Sequence, residues 1–231
     1  MKPLFIIPAR GGSKGIPGKN IRPFCGRPLL TLAIDGALAC CDAPERILLS
    51  TDSEEIADVA RRHGLPVPYM RPAALAADDT PTRDALLHAM DWADARGIDY
   101  DCVVLLQPTS PLRTPEDLRG AMSLYSPDAD MVVSVTAADA NPYYNLFEAD
   151  ADGYLHVCKG DGSFTRRQDA PPVWEYNGAV YVINPDSLRT TPMGQMHRVI
   201  PYPMPRHRSA DLDTLSQWAA AEESYKNQHH I

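Results

Sequence analysis

The sequence predicts an α/β fold, a Rossmann-like, mostly parallel twisted sheet flanked by helices. Short apolar runs alternate with helical segments along most of the 231 residues, and such alternation is typical of a parallel sheet. Residues 102–106 (Cys-Val-Val-Leu-Leu) are apolar without interruption, as expected of a strand that is covered on both faces. The length suits one domain, which we expect to comprise residues 1–231.

The first part of the chain alternates apolar runs with helix-start signals. Residues 3–9 and 46–51 are apolar runs that predict buried strands. Between them a helix is predicted over residues 28–40, because a proline introduces it and proline is favoured at the first helical position. The next helix, over residues 53–63, is predicted by Ser53 as its N-cap, by glutamates in its first turn and by a glycine after its end.

The same alternation continues through the middle of the chain. Residues 67–70 predict a short strand, and a helix over residues 80–96 is expected between a Thr-Pro pair and a glycine. After the buried strand already described, a Thr-Pro-Glu-Asp start predicts a helix over residues 115–125. Residues 131–135 predict the next strand.

The pattern breaks after residue 137. Residues 138–175 are rich in Asp, Gly, Pro and aromatic residues and show no clear periodicity, so we predict an inserted excursion within the single domain. Regular structure returns with a predicted strand over residues 178–183. A final helix is predicted over residues 212–227.

The composition indicates a cytoplasmic protein without membrane association. No apolar run reaches the roughly 20 residues that a membrane helix needs, and the first residues lack the layout of a signal peptide. The five cysteines form no Cys-x-x-Cys pair, which favours reduced thiols over a disulfide framework or a zinc site.

Charge is distributed unevenly along the chain. The formal net charge of −8 argues against general nucleic-acid binding, which needs a basic surface. Residues 1–27 nevertheless contain six cations and no acid. Those cations are Lys2, Arg10, Lys14, Lys19, Arg22 and Arg27. A local anion site would explain this segment, and a solvated basic face is the alternative.

The stretch RGGSKGIPGKN, residues 10–20, is the candidate anion-binding loop. It follows the first predicted strand, and ligands of open α/β sheets lie outside the carboxyl ends of strands. Glycines let backbone N–H groups approach phosphate oxygens, and Arg and Lys neutralise them. The loop fits neither standard phosphate motif, since it lacks the G-x-G-x-x-G spacing and has Ser13 and Asn20 at two P-loop positions. A glycine-rich turn with incidental cations is the alternative interpretation.

The stretch IIPARGGSKGIPGKNIRPFCGRPLL resembles the signature of the acylneuraminate (CMP-sialic acid) cytidylyltransferases. STDSEEIA, RPAALAADDTPT, LLQPTSPLR, RRQDAP, YNGAVYVIN and ADLDT resemble further segments of that family, in the family's order. The resemblance implies that CTP and a sialic or related nonulosonic acid give a CMP-sugar and pyrophosphate. It also implies in-line attack of the anomeric hydroxyl on the α-phosphate. The octulosonate cytidylyltransferases are related but lack the Gly-Gly-Ser-Lys-Gly run.

The resemblance assigns nucleotide-binding and catalytic roles. Arg10 and Lys19 would contact the triphosphate, and Lys19 is the cation expected to stabilise the transition state. Gln107 carries an amide that can direct the attacking oxygen, which makes it the third catalytic candidate. The nucleotide-binding candidates are Arg10, Gly12, Ser13, Lys19, Asn20, Arg71 and Thr80. Of these, Arg71 would lie near the pyrimidine, and Thr80 has the alternative role of capping a helix.

The acid sugar requires a cation for its carboxylate. By resemblance that cation is Arg167. The sugar-binding candidates are Gln107, Thr109, Ser110, Arg167, Gln168, Asn177 and Tyr181. A proline-bracketed turn that caps the next helix is the alternative for residues 107–113, and packing on a strand face is the alternative for Tyr181. Tyr144 stands where some relatives have a lysine, which leaves the exact sugar open.

The sequence Asp211-Leu212-Asp213 is the candidate metal site. Side chains two apart in an extended segment point the same way, and carboxylates with substrate phosphates and water form the usual magnesium shell. Acids that complement a helix N-terminus are the alternative. ADLDT resembles the metal-binding pair of the family, which favours Mg²⁺ or Mn²⁺ as cofactor.

The excursion predicts an interface. It carries closely spaced aromatic residues, which need cover and are enriched at interfaces. They are Tyr143, Tyr144, Phe147, Tyr154, Phe164 and Trp174. In the family this region is a dimer arm over the partner's active site, which implies a homodimer whose sites are completed by the partner subunit. Folding back onto the chain's own sheet is the alternative.

The sequence leaves two alternative functions open. One is a cytidylyltransferase for another 2-keto-3-deoxy acid, such as pseudaminic acid, legionaminic acid, KDN or the octulosonate. The other is a nucleotide-binding sensor without catalysis. The partners expected in every case are small molecules, with neither nucleic acid nor membrane.

Overall fold

The computed structural model describes residues 1–12 and 15–229 and contains a central sheet with helices packed on both faces. The strands are β1 (Pro3–Pro8), β2 (Pro23–Phe24), β3 (Arg27–Pro28), β4 (Ile47–Ser50), β5 (Cys102–Leu105), β6 (Met131–Ala137), β7 (Phe147–Ala149), β8 (Leu155–Val157), β9 (Trp174–Ile183) and β10 (Val199–Pro203). The helices are α1 (Leu29–Leu38), α2 (Glu54–Arg62), α3 (Thr82–Asp94), α4 (Pro115–Ser123), α5 (Pro185–Thr190) and α6 (Leu215–His229).

The central sheet has six strands in the order β10-β6-β9-β5-β1-β4. β1 is parallel to both β4 and β5, and β10 is parallel to β6. β9 is antiparallel to its two neighbours, because it returns from the excursion without the crossover helix that a parallel connection requires. The predicted α/β class with a mostly parallel sheet is therefore confirmed.

Three parallel strands end at the same edge of the sheet. Pro8 at the end of β1 pairs with Ser50 at the end of β4, and Ile6 pairs with Leu105 at the end of β5. The loops that follow these strands consequently leave the sheet side by side. This is the edge where an open α/β sheet holds its ligand.

The core lies on both faces of β1. Phe5 and Ile7 pack on the face covered by α1, whereas Leu4 and Ile6 pack on the face covered by α3. This alternation is the period of two that a strand imposes on its side chains. Burial on both faces explains why β1 reads as a continuous apolar run.

The C-terminal helix α6 packs beside the loop that follows β1. Trp218 and Leu212 share a buried cluster with Ile16 and Phe24, and the rings of Phe24 and Trp218 meet edge to face with centroids 5.5 Å apart. The segment that precedes α6 is thereby held against the same edge of the sheet.

Two predicted helix starts are confirmed in detail. The Ser53 hydroxyl accepts a hydrogen bond from the Ile56 amide at the start of α2. Thr114 and Asp117 form a reciprocal capping box at the start of α4. Both bonds satisfy amide groups that a helix N-terminus leaves without partners.

Several elements differ from the prediction. Residues 67–70 are not a strand, and Tyr69 is instead buried with its hydroxyl bonded to His88 Nδ1 at 2.9 Å. The strand β10 was not predicted because its prolines, Pro201 and Pro203, read as breaks. An edge strand tolerates proline where its N–H would face away from the ladder, and β10 lies at the edge. The helix α5 was also not predicted.

The excursion contains a hairpin, which the sequence did not predict. β7 and β8 pair antiparallel, with Phe147 opposite Val157. Phe147, Tyr154 and Leu155 are each more than half exposed. The aromatic residues of this hairpin therefore do not fold back into the core of their own chain.

All five cysteines are free thiols. Burial raises the pKa of Cys102 to about 12, so this thiol is unreactive near neutral pH. Among the described helices, none combines the length and apolar character needed to cross a membrane.

Candidate active site

The loop after β1 is held from two sides. The Gly11 amide donates to Asp52 Oδ1 at 3.0 Å, and a side chain on Gly11 would press against Ser53, whose Cβ lies 3.2 Å from the ideal Cβ position. The buried Asn20 donates from Nδ2 to the carbonyl oxygen of Arg10 at 3.0 Å. The predicted cradle residue Asn20 therefore shapes the loop from within. Gly12 is exposed, and Ser13 lies outside the described residues.

Lys19 points from this loop to the segment before α6. Its side chain is only 11% exposed. Its Nζ donates to the carbonyl oxygen of Leu212 at 2.5 Å and pairs with Asp213 Oδ1 at 3.3 Å. The predicted transition-state cation and the predicted metal pair, far apart in sequence, are thus in contact.

A cavity of about 500 Å³ opens at this edge of the sheet. It brings together charged and polar residues from four segments, which follow β1, precede α3, follow β5 and precede α6. Its lining consists of Pro8, Arg10, Gly15, Lys19, Asn20, Asp78, Gln107, Pro108, Thr109, Asp211 and Asp213. The cavity therefore contains all three predicted catalytic residues and both predicted metal ligands.

The acids of the cavity are positioned by the residue between them. Leu212 is fully buried, and its amide donates to the carbonyl oxygen of Thr109 at 2.9 Å. Asp211 and Asp213 consequently both reach the cavity. The pKa of Asp211 is raised, mainly because its side chain is buried and also because the negative charge of Asp213 is close. A hydrogen bond with the Thr109 side chain and the positive charge of Lys19 offset part of this increase.

The alternative role of these acids at a helix start is not observed. The first turn of α6 contains no acid, and the Thr214 hydroxyl accepts from the Gln217 amide at 3.2 Å. Thr214 thus satisfies the start of the helix, and the carboxylates of Asp211 and Asp213 are left for the cavity. Oxygen donors in a pair fit Mg²⁺ or Mn²⁺, which complete their shell with phosphate and water. In the described part of the chain, no group of three or more acidic, His or Cys ligands occurs.

A second cavity of about 270 Å³ adjoins the first through three shared residues, Pro8, Arg10 and Asp78. Arg10 lies at this junction, where it donates to the carbonyl oxygen of Ala77 at 2.9 Å and pairs with Asp78 at 2.8 Å. Thr80 lines the second cavity, and α3 starts without a side-chain cap. The capping alternative for Thr80 is therefore not observed.

Arg71 forms the buried end of the second cavity. Its guanidinium donates to the carbonyl oxygen of Ser50 at 2.7 Å, while its Nε is buried without a hydrogen-bond partner among the described residues. Burial lowers the pKa of Arg71.

Three predicted sugar-binding residues do not reach the cavities. Ser110 is fully buried in the turn after β5, and Asn177 is buried with its amide bonded to Ser134, Ser209 and the Ala179 amide. Tyr181 packs on the sheet face, and burial raises its pKa to about 12. Ser110, Asn177 and Tyr181 line neither cavity in this chain, so their direct contacts with the sugar stay a prediction.

Arg167 and Gln168 lie in a 3₁₀ turn of the excursion. Both side chains are exposed, and neither lines either cavity. Tyr144 is partly buried in the same excursion. Within one chain, therefore, the structure does not bring the predicted carboxylate-binding arginine to the site.

The site also contains two residues to which the sequence assigned no role, Asp52 and Arg113, the last residue of the predicted turn 107–113. Asp52 anchors Gly11, and its position in Ser-Thr-Asp-Ser after β4 at the shared edge was the available signal. Arg113 donates to the carbonyl oxygens of Gln107 at 2.6 Å and Ala179 at 3.1 Å, which joins the turn after β5 to β9. Burial lowers the pKa of Arg113 to about 10, so the guanidinium stays charged at neutral pH.

Comparison with known proteins adds sequence relatives and a shared fold. A family model described as "Cytidylyltransferase" matches residues 4–181. The chain is similar to the CMP-N,N'-diacetyllegionaminic acid synthase of Legionella pneumophila, with 33% identity over 96% of this chain and 95% of that protein. It is also similar to the N-acylneuraminate cytidylyltransferase of Streptococcus agalactiae, with 35% identity over 93% of this chain and 51% of the longer streptococcal protein.

The same fold occurs in a solved structure of CMP:2-keto-3-deoxy-manno-octonic acid synthetase complexed with CTP. The match has a TM-score of 0.70 and 17% sequence identity, and it covers 99% of this chain and 100% of that chain. Because the sequence identity is low, this match shows only that the two proteins share a fold.

Proposed function

This chain belongs to the cytidylyltransferase family, and on that premise we propose that it transfers CMP from CTP to a sialic acid or a related nonulosonic acid, with release of pyrophosphate. The single observation that carries the proposal is the first cavity. It combines Arg10 and Lys19 with the carboxylates of Asp211 and Asp213. Cations and a metal-binding carboxylate pair are what transfer from a triphosphate requires.

The two adjoining cavities suit the two ends of CTP. The triphosphate occupies the first cavity, where Arg10 and Lys19 lie. The cytosine occupies the second, where Arg71 and Thr80 lie. Arg10 lines both cavities, so it contacts the phosphates once CTP replaces its pairing with Asp78.

The chemistry is an in-line displacement at the α-phosphorus. Gln107 orients the anomeric hydroxyl of the sugar acid, and Lys19 stabilises the charge that develops on the phosphate oxygens. Arg10 neutralises the departing pyrophosphate. Asp211 and Asp213 would hold Mg²⁺ or Mn²⁺, which would supply further neutralisation of the triphosphate.

A homodimer would complete the sugar site. Arg167 is exposed and lines neither cavity of its own chain, and the hairpin of the same excursion exposes Phe147, Tyr154 and Leu155. Several exposed large apolar side chains on one hairpin favour an interface. We place Arg167 and Gln168 over the partner's cavity, where the guanidinium binds the carboxylate of the sugar acid. The free thiols favour the cytoplasm as the compartment of the reaction.

The identity of the sugar acid is tested by pyrophosphate release. The chain is assayed with each of the four nucleoside triphosphates against sialic, legionaminic, pseudaminic, KDN and octulosonic acids. We expect CTP to be selected and one nonulosonic acid to give the highest kcat/KM. CTP binding without pyrophosphate release on any acid would contradict the proposal and support a nucleotide-binding sensor.

The carboxylate pair predicts a metal requirement that mutation shifts. Asp211→Asn and Asp213→Asn are each expected to raise the Mg²⁺ concentration for half-maximal rate at fixed CTP, because each removes a charged oxygen ligand. The measurement is a magnesium titration of pyrophosphate release. Unchanged magnesium dependence, with a stability loss of about 0.3–1 kcal/mol, would instead indicate a helix-start role.

A further inference from the structure

An irregularity in β9 lies directly beneath the carboxylate pair. Between the pair Val133–Tyr181 and the pair Val135–Tyr176, β6 advances by two residues while β9 advances by five. The extra residues of β9 form a bulge, and bulges commonly redirect side chains next to active sites. This bulge contains Asn177 and Gly178.

The bulge is fastened by two buried side chains. Asn177 Oδ1 accepts from the Ser134 hydroxyl at 2.6 Å and from the Ala179 amide at 3.2 Å. The Ser134 oxygen in turn accepts from the Val180 amide at 2.7 Å. These bonds replace the ladder bonds that the bulge interrupts, so the distorted strand has one defined shape.

The remaining groups of the bulge contact the segment that carries the acids. Asn177 Nδ2 donates to Ser209 Oγ at 2.9 Å, and Ser209 Oγ donates to the carbonyl oxygen of Pro205 at 3.0 Å. Gly178 has a φ of +73°, and an added Cβ there would lie 3.4 Å from Asp211 Oδ2. The bulge therefore contacts the segment at Ser209, two residues before Asp211, and Gly178 leaves beside the Asp211 carboxylate a space that a Cβ would fill.

Asn177 does not act by direct contact with a ligand. It is only 5% exposed, and its amide oxygen and nitrogen are both used in the bonds just described. Its influence on the cavity runs through Ser209 to Asp211. A hydrogen bond from a rigid buried strand to the start of an irregular segment restricts where that segment can place its side chains.

We propose that Asn177 and Ser209 are positioning residues for the carboxylate of Asp211, and that the bond between them sets the affinity of the site for a divalent cation. This inference rests on the metal assignment of the proposed function. Groups that orient metal ligands contribute to affinity because they hold the ligand oxygens in place before the ion binds.

The test measures cation binding directly, without the sugar acid and without turnover. Free Mn²⁺ is quantified by electron paramagnetic resonance as it is titrated into the chain plus CTP. Ser209→Ala removes the acceptor of the Asn177 bond together with the donor of the bond to Pro205, and it leaves the bulge fastened by Ser134. We expect its Mn²⁺ dissociation constant to rise about tenfold, and we expect Ser209→Thr, which keeps the hydroxyl, to stay close to the parent.

The matched control is Ser187→Ala. The Ser187 hydroxyl bonds Asp130 at 2.9 Å, on the part-buried start of α5 and apart from the cavity lining. A comparable loss of thermal stability without a change in Mn²⁺ affinity is expected. If Ser209→Ala weakened Mn²⁺ binding no more than Ser187→Ala, the bond between Asn177 and Ser209 would have only a structural role. The inference would then be overturned.

Asp211→Asn in the same titration separates this inference from its premise. Loss of Mn²⁺ binding in Asp211→Asn together with parental binding in Ser209→Ala would overturn the positioning role alone. Parental binding in both variants would overturn the metal assignment and the positioning role together. Weakened binding in both, with an unaffected Ser187→Ala, is the outcome that supports the inference.

Discussion

Replacement of Lys19 by alanine is expected to lower kcat by about 10²–10³-fold, the usual effect of removing one group that stabilises transition-state charge. Lys19 is the most enclosed cation of the cavity lining, with its ammonium held beside Asp213 and the carbonyl oxygen of Leu212. An enclosed cation interacts with developing phosphate charge more strongly than an exposed one, because less water screens it. The measurement is pyrophosphate release under saturating CTP and sugar acid.

The same substitution is expected to change stability little. The Asp213 side chain is 69% exposed, and ion pairs with an exposed partner contribute at most about 1 kcal/mol. Lys2→Ala is the matched control, since Lys2 pairs with Asp99 on the surface and lines neither cavity. If Lys19→Ala retained a kcat within about threefold of the parent, Lys19 would not be the cation that stabilises the transition state.

Replacement of Arg167 by alanine is expected to have the second large effect on activity. It also tests whether the partner subunit completes the site. Loss of a bidentate contact to the sugar carboxylate leaves that charge without its partner, which costs binding and orientation of the sugar acid. We expect an inactive variant whose CTP binding is retained, because the proposed partner of Arg167 is the carboxylate of the sugar acid and not the nucleotide. The measurement combines CTP titration with pyrophosphate release.

A mixture of Lys19→Ala and Arg167→Ala chains should regain activity. In a mixed dimer, one site combines the intact Lys19 of one chain with the intact Arg167 of its partner. Random exchange at equal mixing makes half of the dimers mixed, and each mixed dimer has one intact site of two, so about a quarter of parental sites would return. Arg166→Ala is the control, because Arg166 pairs with Asp169 in the same turn and is not expected to reach the partner. No recovery despite subunit exchange, shown independently by mass, would rule out a shared site.

Local signals in the sequence predicted most of the fold that positions the site. β1, β4 and β5 are apolar runs buried on both faces, and Ser53 and Thr114 marked helix starts that the structure confirms. β10 was not predicted because a strand with these prolines is stable only at a sheet edge. The local sequence does not show that β10 lies at the edge, since strand order depends on the whole fold.

The site was predictable to the extent that its residues follow strand ends. Arg10, Lys19 and Gln107 lie after β1 and β5 and do line the cavity. The inward-facing amide of Asn177 could not be predicted, because a bulge depends on pairing with a distant strand and Asn-Gly within YNGAVY gives no indication of it. That Arg167 lines neither cavity of its own chain likewise depends on the tertiary arrangement, which is not a local property of the sequence.

The most direct test of the central claim is phosphorus NMR of the chain with CTP, Mg²⁺ and the nonulosonic acid selected by the substrate panel. We expect the CTP signals to be replaced in equal amounts by pyrophosphate and by a single phosphodiester signal from the CMP-sugar, and only when the sugar acid is present. Release of pyrophosphate or phosphate from CTP without the sugar acid, or unchanged CTP with every acid of the panel, would contradict it.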